Sequence, residues 1–151
     1  MQLHLQTKIM KISHIEHIGI AVKNLTDAIN FYENILGLKC YAIEEVTDQK
    51  VKTAFFMVGQ TKIELLESTD PGGPIGKFIE NKGEGIHHIA YAVNDIEKSL
   101  AEVEEKGVRL IDKTSRKASI RVSHCPTEEK EVSCSMGSTG IFKCFFINDS
   151  S

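Results

Sequence analysis

A short apolar stretch that carries a histidine occurs twice in this chain, and that duplication restricts the fold more than any other feature. The first copy is Glu16-His17-Ile18-Gly19-Ile20-Ala21-Val22, and the second is His87-His88-Ile89-Ala90-Tyr91-Ala92-Val93. His17 and His88 stand 71 residues apart, and the likeness runs on at the same offset through Asn24-Leu25 and Asp95-Ile96, Ile29 and Leu100, Tyr32 and Val103. Gly37 and Gly107 close the two segments, with one residue fewer in the second. Solenoid repeats run to about 20–50 residues and need three or more copies. Two copies at this longer period instead describe one domain of two similar halves. A length of 151 residues agrees with that, since domains commonly hold about 100–200.

Within each copy apolar and small residues alternate, as a strand's period of two requires. Ile18, Ile20 and Val22 share one face, suited to burial under a helix, while His17, Gly19 and Ala21 share the other. The second copy repeats the division, with His88, Ala90 and Ala92 on the small-residue face, where a ligand would find room. On strict alternation His87 points the opposite way. Asn24 and Asp95 are good helix N-caps. The helices they open carry apolar residues at Leu25, Ala28, Ile29, Tyr32 and Leu36, and at Ile96, Leu100 and Val103. Three strands should follow the first helix, at Lys39–Val46, Val51–Val58 and Thr61–Glu67, with Gly59-Gln60 as a tight turn between the last two. In the last of them Ile63 and Leu65 face the core and Lys62, Glu64 and Leu66 face away. Pro71-Gly72-Gly73-Pro74 breaks the chain before a short helix from Pro74 to Asn81.

The expected architecture is therefore α+β, built from two paired βαβββ modules. The first covers about residues 12–68, a linker takes 69–84, and the second covers about 85–151 in a single domain over 1–151. The pattern weakens after Lys117. Residues 108–112 and Ile141–Ile147 read as strands, but Ser115–Ser138 is rich in Ser, Cys and charge with little alternation, so the second module is irregular there.

Composition excludes several classes of function. A net charge of −3 and a pI near 6.1 do not give the basic face of a nucleic-acid-binding protein. No apolar run approaches the roughly 20 residues of a membrane span. Met1–Lys11 lacks a secretory pattern, and with Met10 as an alternative start the first nine residues read as a dispensable extension. Cys40, Cys125, Cys134 and Cys144 show no paired spacing, in keeping with a reduced, cytoplasmic protein.

Two histidines at equivalent places in duplicated modules can meet across a pseudo-twofold axis. Glu64, 47 residues after His17, projects from the same concave side. His17, Glu64 and His88 thus make a candidate two-histidine, one-carboxylate site for a borderline divalent ion such as cobalt, nickel, zinc, manganese or iron.

The segments His17–Val22, Val51–Val58 with Lys62-Ile63-Glu64-Leu65-Leu66-Glu67, and Gly83-Glu84-Gly85-Ile86-His87-His88-Ile89-Ala90 resemble the methylmalonyl-CoA epimerases of the glyoxalase, or vicinal oxygen chelate, superfamily. The resemblance covers about residues 10–117. It implies a homodimer with a divalent metal, cobalt favoured and zinc, manganese or nickel also suitable, held by His17, Glu64 and His88. It further implies a coenzyme A thioester substrate and epimerisation at C2 through a metal-stabilised enediolate. The family's ending, with a fourth ligand glutamate in a Gly-Val-Leu-x-Glu-Leu strand, has no match here. Internal symmetry places that partner near 134–138, which reads Cys-Ser-Met-Gly-Ser; aligning Ser138-Thr139-Gly140 instead puts Phe145 in its place. A base described in one branch of the family aligns near Thr53. The catalytic acid and base are thus unassigned, with Glu64 the one candidate. The tail from Ala118 reads as a replacement, as a frameshift would produce, and an activity impaired by the missing glutamate is expected. The alternatives are another superfamily reaction (a glyoxalase or a ring-cleaving dioxygenase) and an inactive binding module.

Overall fold

The computed structural model of the chain describes residues 10–110, 120–123, 131–136 and 140–145. The opening nine residues, Cys125 and Ser138-Thr139, on which expectations were placed above, lie outside the described residues. The first half runs β1 (Ile12–Val22), α1 (Leu25–Asn34), β2 (Ala42–Val46), β3 (Val51–Val58) and β4 (Thr61–Ser68), followed by α2 (Pro74–Lys82). The second half runs β5 (Gly85–Val93), α3 (Ile96–Glu105), β6 (Arg109–Leu110), β7 (Ile120–Ser123), β8 (Glu131–Met136) and β9 (Gly140–Phe145). The nine strands among the described residues join one sheet in the order β2-β3-β4-β1-β5-β9-β8-β7-β6.

Helices α1 and α3 each start where a cap residue stops the preceding strand. Asn24 is extended, and its Oδ1 accepts from the Asp27 amide at 3.0 Å. Asp95, its equivalent in the repeat, accepts from the Lys98 amide at 3.1 Å. These bonds satisfy amides that an helix N-terminus otherwise leaves unpaired. The apolar stripe of α1 then packs Leu25, Ala28, Ile29 and Tyr32 onto Val22, Ala54, Phe56 and Leu65. In the second half Ile96, Leu100 and Val103 of α3 pack with Val93 and Tyr91 of β5. Helix α1 ends sooner than its apolar spacing suggests. Its last residue is Asn34, and Ile35 and Leu36 are exposed instead of joining the core. Gly37 beyond them has φ +68°, the left-handed conformation that glycine adopts without strain.

The opposite face of the sheet is covered at one end by α2. Ile75, Phe78 and Ile79 pack on Ala21, Val51 and Leu66, so the linker roofs part of the concave side.

The halves meet along the antiparallel pair β1–β5, and the register shows their symmetry. Ile18 pairs with its own repeat equivalent Ile89, which puts a pseudo-twofold axis through that pair. His17 pairs with Ala90 and Gly19 with His88, so each histidine lies opposite the small residue of the other copy.

Beyond α3 the halves diverge. In the first, three strands follow the helix and β4 returns parallel to β1. In the second, four strands follow among the described residues, and each reverses the last. β9 therefore arrives beside β5 antiparallel. Among the described residues, three strands lie past residue 117, where the sequence pattern marks one.

Candidate metal centre

Two rows of residues across the sheet build the site. One row reads Phe55, Glu64, Gly19, His88, and the next reads Met57, Lys62, His17, Ala90. In the first row Glu64 and His88 flank Gly19, whose missing side chain lets them meet above the strand. His17, two residues away on the same strand and so on the same face, completes the group.

The three side chains converge. His17 Nε2 lies 3.0 Å from His88 Nε2 and 3.8 Å from Glu64 Oε2. All three donor atoms fall within 4.8 Å of one another. His17 and His88 are 2% and 5% exposed, while the Glu64 side chain keeps 15% of its surface. The solvent side of the group is therefore the carboxylate side.

The room at Gly19 is not left for a ligand, as its small-residue face suggests; the His88 imidazole takes it. A Cβ at Gly19 would stand 2.2 Å from His88 Cε1 and 2.5 Å from its Nδ1.

The position of His87 also departs from strict alternation. Between the pairs Gly19–His88 and Ile20–Ile86 the register skips one residue, making His87 the extra residue of a β-bulge. A bulge interrupts alternation and re-aims the side chain it carries. His87 is consequently buried beside His88, with the two Nδ1 atoms 2.9 Å apart, and its ring meets Phe78 of α2 edge-on at 5.0 Å. A second bulge lies at Glu16, between the pairs Ile15–Tyr91 and His17–Ala90. Its carboxylate contacts His17 Nδ1 and, at 2.6 Å, Lys62 Nζ. Neither Glu16 nor Lys62 stands out in the sequence. The signal that finds Glu16 is the repeat itself, which makes it the equivalent of His87.

Charge on this face is largely internal to it. Burial alone would raise the Glu16 pKa, but hydrogen bonds from His17 and Lys62, with their charge, pull it down to about 2. Burial works against the Lys62 ammonium, yet the bond to Glu16 and the nearby carboxylates leave its pKa raised. Tyr41, stacked at a tilt on Phe55 with centroids 6.0 Å apart, overlooks the same face. Burial, with Glu64, Glu16 and Glu44 near enough to add to it and Lys62 opposing, raises its pKa, so its hydroxyl stays protonated.

The donor set suits a divalent ion. Metal bonds of about 2.0–2.2 Å at tetrahedral to right angles set neighbouring donors about 2.8–3.6 Å apart, close to the 3.0 and 3.8 Å found here. With Glu16 taking the Nδ1 proton of His17, the Nε2 of that ring presents a lone pair toward His88 Nε2. Two such nitrogens at 3.0 Å need a proton or a cation between them. Two imidazoles and one carboxylate are a donor set for borderline ions.

Among the described residues of β9, none is an aspartate or glutamate. Residues Gly140–Phe145 of β9, which pair with β5, read Gly-Ile-Phe-Lys-Cys-Phe. Phe145 pairs with His88, and Cys134 lies on β8, one strand further out.

Residues 16–123 match the Glyoxalase/Bleomycin resistance protein/Dioxygenase superfamily. The chain belongs to that superfamily. Among relatives, an uncharacterised Bacillus subtilis protein, YqjC, is 43% identical over 105 residues, which is 70% of this chain and 75% of that one. The ethylmalonyl-CoA/methylmalonyl-CoA epimerase of Cereibacter sphaeroides is 39% identical over 101 residues, 66% of this chain and 75% of that protein. Among solved structures, a methylmalonyl-CoA epimerase variant of Streptomyces coelicolor in complex with 2-nitronate-propionyl-CoA aligns with a TM-score of 0.67 and 30% identity. That alignment covers 77% of this chain and 87% of the other. The α+β fold with its mixed sheet is thus that of the superfamily's epimerases. Among the described residues, no helix is long and apolar enough to cross a membrane.

Proposed function

We propose that this superfamily member is a divalent-metal-dependent epimerase that inverts C2 of methylmalonyl-CoA, with His17, Glu64 and His88 holding the ion. The observation that carries the reading is the convergence of those three donors within 4.8 Å, from both halves of the repeat, on one face of the sheet. The kinship with epimerases of methylmalonyl-CoA supplies the substrate class.

A proton α to a thioester is too weakly acidic to leave unless the charge formed on oxygen is stabilised. When bound, the ion supplies that positive charge. The chain's own residues do the rest. Glu64, the least buried donor of the group, would lie nearest the substrate. Tyr41 and Phe55 wall the same side with apolar surface, and Lys62, although paired with Glu16, adds positive charge beside an anionic acyl group. Inversion also needs proton donors and acceptors reaching both faces of C2, and Glu64 is the candidate we put forward for one of them. Cobalt is the favoured ion, with zinc, manganese and nickel also suited to the donors. We further read residues 1–151 as one domain that acts in the cytoplasm as a homodimer.

Solvent exchange tests the activity. Methylmalonyl-CoA incubated in deuterated water with the cobalt-loaded protein is expected to lose its C2 proton signal catalytically, and to keep it with the His17→Ala variant. A cobalt-loaded protein that leaves C2 unexchanged would remove the epimerase reading. That result would favour a second one, a metal-holding binding module without turnover. The absence of a carboxylate from Gly140–Phe145 supports this alternative.

A further inference from the structure

Of the three register shifts along β1–β5, at Ser13, Glu16 and His87, the last two are related by the repeat, because Glu16 stands one residue before His17 and His87 one residue before His88. In a regular strand neither side chain would reach the histidine that follows it, since consecutive residues point to opposite faces. The register skip at each place brings the pair to one side, and in each case the contact made is to Nδ1. Glu16 contacts His17 Nδ1, and His87 Nδ1 lies 2.9 Å from His88 Nδ1. The other ring nitrogen of each histidine, Nε2, points to the common centre, with 3.0 Å between the two.

We propose that Glu16 and His87 are positioning residues, which fix through Nδ1 the tautomer and ring angle that aim the Nε2 atoms of His17 and His88 at one point. The inference rests on the metal site proposed above. An imidazole that offers Nε2 to a cation carries its proton on Nδ1, and the partner of Nδ1 decides that tautomer. A carboxylate accepts that proton at His17. At His88 the acceptor is the Nδ1 lone pair of a neutral imidazole, so His87 carries its own proton on Nε2. Each partner is held in turn. Lys62 Nζ binds the second carboxylate oxygen of Glu16, and Phe78 of the linker helix packs against the His87 ring. The two halves thus use one backbone device with different chemistry, an ion-paired carboxylate in the first and a ring wedged by α2 in the second. It also explains why so apolar a strand pair carries a glutamate and an extra histidine on its buried side.

Cobalt affinity, read from its visible absorption in competition with a chelator, tests this. Glu16→Ala and His87→Phe (which keeps a ring for Phe78) should each weaken binding about 10–100-fold, with a shifted absorption band. Glu16→Gln, which retains an oxygen acceptor, should recover most of the Glu16→Ala loss. Thermal melts of the metal-free variants show whether they remain folded. Wild-type affinity and an unshifted band in both Glu16→Ala and His87→Phe would overturn the proposal. A wild-type chain that takes up no cobalt would remove the metal site itself, and this inference with it, so the wild-type arm tells the two failures apart.

Discussion

Gly19→Ala is expected to cost the protein its metal site while leaving the fold in place. The glycine is not needed for its backbone conformation, since its φ is not among the positive values found at Gly37, Gly59, Gly83, Gly85 and Gly107. Its role is steric. A methyl group there would come within 2.2 Å of His88 Cε1, far inside van der Waals contact, and the imidazole is buried. Overpacking of this kind costs about 1–3 kcal/mol. The rotation that relieves it takes Nε2 away from His17 and Glu64. Cobalt affinity should fall by more than the roughly 10–100-fold that loss of an outer hydrogen-bond partner brings. The cost should also depend on its cause. In a His88→Ala background the same substitution has nothing to strike, so the stability loss should nearly vanish. Equal losses in both backgrounds, measured by urea denaturation, would show that the clash with His88 is not what the methyl group meets.

Phe56→Ala should give the largest loss of stability among substitutions that leave the site untouched. Phe56 is fully buried between α1 and the sheet, with its ring 5.2 Å from that of Tyr32 and Ala54, Leu65 and Val22 around it. Truncating a buried phenylalanine costs about 3–5 kcal/mol, against a total of about 5–15 kcal/mol for an ordinary domain. The variant should therefore melt far below the wild type in either metal state. A loss under about 1 kcal/mol would mean that α1 does not pack on this sheet as described.

The repeat made most of this readable from residues alone. The 71-residue offset identifies His17 and His88 as equivalents, and strand alternation puts both on the small-residue face. The spacing of Ile63 and Leu65 turns Glu64 to the same side. Cap residues mark both helix starts. What alternation cannot show is a place where it is suspended. A bulge is a pairing event between two strands, and nothing in the local pattern around Glu16 or His87 announces it. For that reason His87 reads as facing away, although the structure buries it against His88. The second half beyond α3 resisted for a different reason. A fourth strand after the helix changes the direction in which the last one runs, and the polar run Ser115–Ser138 lacks the apolar alternation that would reveal how many strands it contains.

The site rests on one geometric claim, that donors from both copies of the repeat hold a single divalent ion. Equilibrium dialysis of the metal-free wild-type protein and of His17→Ala against cobalt, followed by elemental analysis, tests it directly. The expected result is about one tightly held ion per wild-type chain, as a two-histidine, one-carboxylate set provides, and none in the variant. A wild-type chain that retains no cobalt, or a His17→Ala chain that retains as much, would contradict it.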